Sequence, residues 1–187
     1  MKILVIIFLL LFLINCTNSQ VGRSRYETFK SQVSQSLMSN PPFNDYKKIQ
    51  NSTFMTIYYP PTIRFNHYCG LCVGMQYDIK EFNNKYSIIK SNYHQILDSI
   101  NEKTIYADSM NNKQNRLLPD INDIGTVPDS FLNKDVEFFV YKQEEGNFLI
   151  DKYSDYFIKN NTSPHGYSIG AVVSKQLYRI VYWLFIW

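Results

Sequence analysis

Apolar residues at Tyr26, Phe29, Val33 and Leu37 recur in steps of three and four, a spacing that predicts a short helix over 26–38 with one buried face. Asn40-Pro41-Pro42 stops it. The run 53–59 is rich in β-branched and aromatic side chains and lacks a breaker until Pro60-Pro61, so it reads as a buried strand. From Cys72 the apolar positions Met75, Ile79, Phe82, Tyr86, Ile89, Tyr93 and Ile96 keep helical spacing. They predict one long helix whose first turn holds the cysteines and whose wet face includes Asp78 and Glu81. Further on, the pattern predicts a strand over 103–107, a polar loop over 108–114, a short helix over 115–122, and strands over 136–141 and 148–151. Ile124 to Pro128 leads into Ser130-Phe131-Leu132, with Pro128 at a strand entrance, where its missing N–H costs no ladder bond. A last helix is expected from a Ser168 cap through Ile169, Val172, Val173, Gln176 and Ile180. The apolar tail 181–187 is too short to span a bilayer and is expected to pack that helix against a sheet.

The first twenty residues change the picture of where the chain works. Lys2, the apolar block 3–14 and the small residues of Thr17-Asn18-Ser19 form a secretory signal pattern, with cleavage expected after Ser19. This leaves one domain, 20–187, large enough to build its own core. The expected location is the endoplasmic reticulum, reached by the secretory pathway, either in the lumen or membrane-associated. The chain ends without a Lys-Asp-Glu-Leu type signal, so retention there would come from a partner or from the apolar tail. A formal net charge of +3 on 187 residues gives nucleic acid no electrostatic claim.

Of three cysteines, Cys16 lies in the leader, which leaves Cys69-Gly70-Leu71-Cys72. A single pair at this spacing in a secreted domain has sulfur to spare from scaffolding. At a helix N-terminus the dipole and unpaired N–H groups would lower the pKa of Cys69, the attacking thiol, while Cys72 faces the core and resolves. Two other readings stay open on the residues alone. One is a structural disulfide between Cys69 and Cys72. The other is half a zinc site completed by His67 or His94, though structural zinc normally takes paired elements, so no metal and no cofactor is expected. His67 lies two residues before Cys69, where it would either assist ionisation or simply face solvent.

The order strand, redox pair on a helix, strand, helix, Val-Pro, strands, helix resembles the thioredoxin order. The fold expected is therefore α/β and thioredoxin-like, a central mixed sheet flanked by helices with CxxC at a helix N-terminus. Tyr68 stands before Cys69 where classical thioredoxins carry Trp, the loop 60–67 lengthens the approach, and Val127-Pro128 matches the cis-proline step facing the pair. With these features the chain resembles, over about 26–183, the luminal domain of the thioredoxin-like (gamma) subunits of oligosaccharyltransferase. The resemblance implies thiol-disulfide exchange at Cys69 and Cys72, with Tyr68, Val127 and Pro128 contacting substrate. Partners would be nascent or unfolded glycoprotein chains, held by mixed disulfides to aid N-glycosylation, and other transferase subunits. The alternatives are a general disulfide isomerase-like oxidoreductase, or a non-catalytic module that binds peptides along Val127 by adding a strand.

Three N-x-Ser/Thr sequons follow the leader, at Asn51, Asn160 and Asn161. Pro164 follows the Asn161 sequon and disfavours transfer there, so Asn51 and Asn160 are the expected glycosylation acceptors.

Overall fold

In the computed structural model, residues 22–58, 69–96, 136–150 and 166–186 are described. They combine helices with one six-stranded sheet. Helix α1 spans 22–30, followed by α2 (Gln35–Met38) and α3 (Tyr46–Gln50). Then come β1 (Phe54–Tyr58), β2 (Cys69–Gln76), α4 (Ile79–Asn92), β3 (His94–Ile96), β4 (Val136–Glu145), β5 (Gly166–Ser174) and β6 (Arg179–Ile186). The strand order is β1-β2-β6-β5-β4-β3, and every neighbouring pair is antiparallel.

Strand periodicity sorts the side chains onto two faces. Leu71 and Val73 of β2, Ile169, Ala171 and Val173 of β5, and Tyr182, Leu184 and Ile186 of β6 share a core with Tyr26, Phe29, Leu37, Phe43, Ile49, Phe82 and Ile89 of the helical layer. The opposite face gathers Cys72, Val140, Val172, Val181, Trp183 and Phe185, with Phe54, Val136 and Phe138 beside them. Both faces are withdrawn from solvent, and β5 and β6 are buried almost end to end. Sheets covered on both sides read as continuous apolar runs rather than alternating ones.

On the second face, large and small residues alternate across the strands. The register places Trp183 between Cys72 and Gly170, and Phe185 between Gly70 and Ser168. A Cβ on Gly170 would fall well under 3.0 Å from the Trp183 ring, and one on Gly74 equally close to the Phe54 ring. The rings therefore lie over the glycines, and the Trp183 Nε1–H donates to Ser168 Oγ at 3.2 Å.

The helix and strand composition agrees with the expectation at its coarsest, but parts of it are corrected. The sheet is antiparallel throughout where a mixed one was expected. The CxxC pair opens β2 and not a helix. Gly70 and Gly74 weaken helix there, and Cys69, Leu71, Val73 and Met75 satisfy strand alternation as well as Cys72 and Met75 satisfy helical spacing. The helix begins later, at Asp78, whose carboxylate accepts from the Glu81 N–H. The expected last helix is also replaced, by the hairpin β5–β6. Its β-branched residues favour strand, and Tyr178 turns the chain at φ 51. Of the strand expected over 148–151, the described residues 148–150 show one bridge, Leu149 to Val33, which ties them to the N-terminal helices. The elements expected over 103–107, 115–122 and 124–132 lie outside the described residues.

Candidate functional site

Cys69 and Cys72 are separated by three positions along a strand, an odd number, so their side chains leave opposite faces of the sheet. Cys69 packs in the helix-side core, and Cys72 on the other face beside Trp183 and Phe185. Both are fully buried and both thiols are free. The expected Cys69–Cys72 disulfide is thus absent, because a strand turns the two sulfurs away from each other. Burial pushes both thiols far above the ordinary range, so both stay protonated at any physiological pH. The expected asymmetry between an exposed attacking thiol and a buried resolving one is not found either, since neither reaches solvent.

The other sequence-predicted positions divide simply. Tyr68, Val127, Pro128, His67 and Asn160 lie outside the described residues, as do the side chain of His94 and the leader. Asn51 is exposed at the C-terminal end of α3. Among the described residues, no three His, Cys, Asp or Glu side chains gather as a metal site.

Polar chemistry instead collects where α4 crosses the sheet, at residues to which the sequence assigned no chemical role. Tyr86 of α4 donates its hydroxyl to Glu137 Oε2 of β4 at 2.5 Å, and Lys175, in the β5–β6 turn, reaches Glu137 Oε1 at 2.5 Å. Lys175 and Lys90 each lie over the Tyr86 ring, 5.6 Å and 5.5 Å from its centroid. Burial tends to raise the Glu137 pKa, but the hydrogen bonds from Lys175 and Tyr86 and the charges of Lys175 and Lys90 outweigh it, and the carboxyl is held low. Glu137 is therefore ionised and already occupied by two donors, which suits clamping more than proton abstraction.

Closer to the core, Tyr77 donates its hydroxyl to Met75 Sδ at 2.8 Å and is hydrogen-bonded to Tyr182. Burial, with smaller contributions from Tyr77, Tyr93 and Glu81, raises the Tyr182 phenol well above its usual value. Tyr93, its ring tilted against that of Tyr141 at 4.8 Å between centroids, is pushed up to about 12, again by burial first. These phenols stay neutral, and the Tyr77 hydroxyl is a hydrogen-bond donor to sulfur. No sequence signal marks the group, because partners such as Tyr86 and Glu137 are 51 positions apart.

Comparison with protein-family models, with curated proteins and with solved structures finds no match in any of the three. Among the described residues, no helix is long and apolar enough to cross a membrane, which says nothing of β-barrels.

Proposed function

We propose that this chain is a domain of the secretory pathway that works by non-covalent binding of other polypeptides, with its two core cysteines serving as packing residues. The observation that carries the non-covalent part of the reading is the placement of Cys69 and Cys72 on opposite, buried faces of β2, while the polypeptide partners come from the sequence expectation. Exchange needs a thiolate that meets its partner in line and a second thiol within reach to resolve the mixed disulfide. A thioredoxin-like arrangement would supply both by letting the chain leave a strand into a helix at Cys69. Here the strand runs on to Gln76, and sulfur acts as a small apolar filler. The luminal compartment expected from the leader is kept in this proposal, and so are polypeptide partners. The covalent capture is not.

Thiol labelling tests it. In the native protein, a maleimide should modify Cys69 and Cys72 only as fast as the sheet opens, and Cys72→Ser should trap no mixed disulfide in cells. Rapid native labelling of either thiol, or a partner released from the Cys72→Ser variant by reductant, would restore the exchange reading.

A further inference from the structure

The turn from α3 to β1 presents an acceptor for modification. Ile49 points into the core, while Gln50, Asn51 and Thr53 are exposed. Asn51 is the C-cap of α3, and its own N–H and that of Ser52 both bond back to Ile49 O. The Thr53 N–H is bonded to Gly74 O at 2.7 Å, so the turn is pinned by its backbone alone. Among the described residues, the Asn51 carboxamide and the Thr53 hydroxyl make no hydrogen bond. Both residues that define the acceptor sequence Asn51-Ser52-Thr53 are thus exposed on the outside of one turn.

We propose that Asn51 carries an N-linked oligosaccharide, added in the compartment assigned under the proposed function, on which this inference rests. Asn51 Nδ2 forms a bond to the anomeric carbon of a lipid-linked diphospho-oligosaccharide, and the bond from that carbon to the diphosphate oxygen breaks. The lipid diphosphate leaves with the electron pair, and one amide proton passes to a base on the transferase. The Asn51 side chain is exposed and takes part in no core or hydrogen-bonded contact among the described residues, so the sugar displaces none of these elements.

Translation of the full chain with microsomes tests the site in an Asn160→Gln, Asn161→Gln background. Protease protection reports translocation, and sensitivity of the mobility to an endoglycosidase reports transfer. The protected chain should carry one glycan, lost in Asn51→Gln and in Thr53→Ala and kept in Ser52→Ala. A protected chain with no glycosidase-sensitive shift overturns the glycan alone. A chain digested by protease overturns the compartment, and the glycan with it.

Discussion

Gly170 shows how tightly single positions are fixed. The Trp183 ring occupies the space a side chain would need, and the Phe139 carbonyl closes the other side. Gly170→Ala should therefore cost about 1–3 kcal/mol by overpacking. A lower urea midpoint at constant m-value would show it. Tyr26 is held differently: its buried hydroxyl donates to the Phe43 carbonyl, joining α1 to the segment before α3. Tyr26→Phe keeps the ring and orphans that carbonyl, so a loss of about 1–2 kcal/mol is expected in the same measurement. At this scale the sequence is legible as chemistry but not as place. Residues three apart share a side in a helix and take opposite sides in a strand, so the functional meaning of Cys69 and Cys72 depended wholly on which element holds them.

Among the elements, α4 is the one most clearly written in the chain, and its true start was marked as well. Asp78-Ile79-Lys80-Glu81 has the spacing of a capping box, with the cap hydrogen bond realised from Glu81 N to Asp78 Oδ1 at 2.8 Å. The helical pattern runs on backwards past Asp78 into β2 because any spacing can be picked out of a run as uniformly apolar as 69–75. The same ambiguity turned the β5–β6 hairpin into a helix, whereas β1 and the start of β4 were legible from β-branched and aromatic residues bounded by breakers. Asp78→Ala should remove about 1 kcal/mol, seen as earlier loss of helical circular dichroism on heating. The clamp of α4 onto β4 titrates. The folded Glu137 pKa lies below its unfolded value, so its contribution is complete above the ordinary carboxylate pKa and is lost as pH falls through the folded pKa. Between those two pH values, Glu137→Gln should flatten the decline in stability. At neutral pH it should cost no more than ~1 kcal/mol, since Lys175 is half exposed.

The whole molecule is organised by β6, which pairs with β2 on one side and β5 on the other and so joins the two halves of the sheet. A chain ended after Ser174 leaves β1–β2 and β3–β4–β5 as separate ribbons without their central strand. It should lose cooperative unfolding altogether, which a denaturant titration followed by circular dichroism would show as a broad, featureless decline. The apolar tail announced a buried element, but its partners could not be read locally. Pairings such as Leu71 with Leu184 join residues more than a hundred positions apart, and nothing near either residue names the other. That same sheet has a practical consequence through β2. With one sulfur facing the helical layer and the other facing the Trp183 side, the chain has a separate clock for each layer. A single pulse-labelling time course, resolved by mass, would show whether the helices lift away before the opposite face opens or whether both layers part at once.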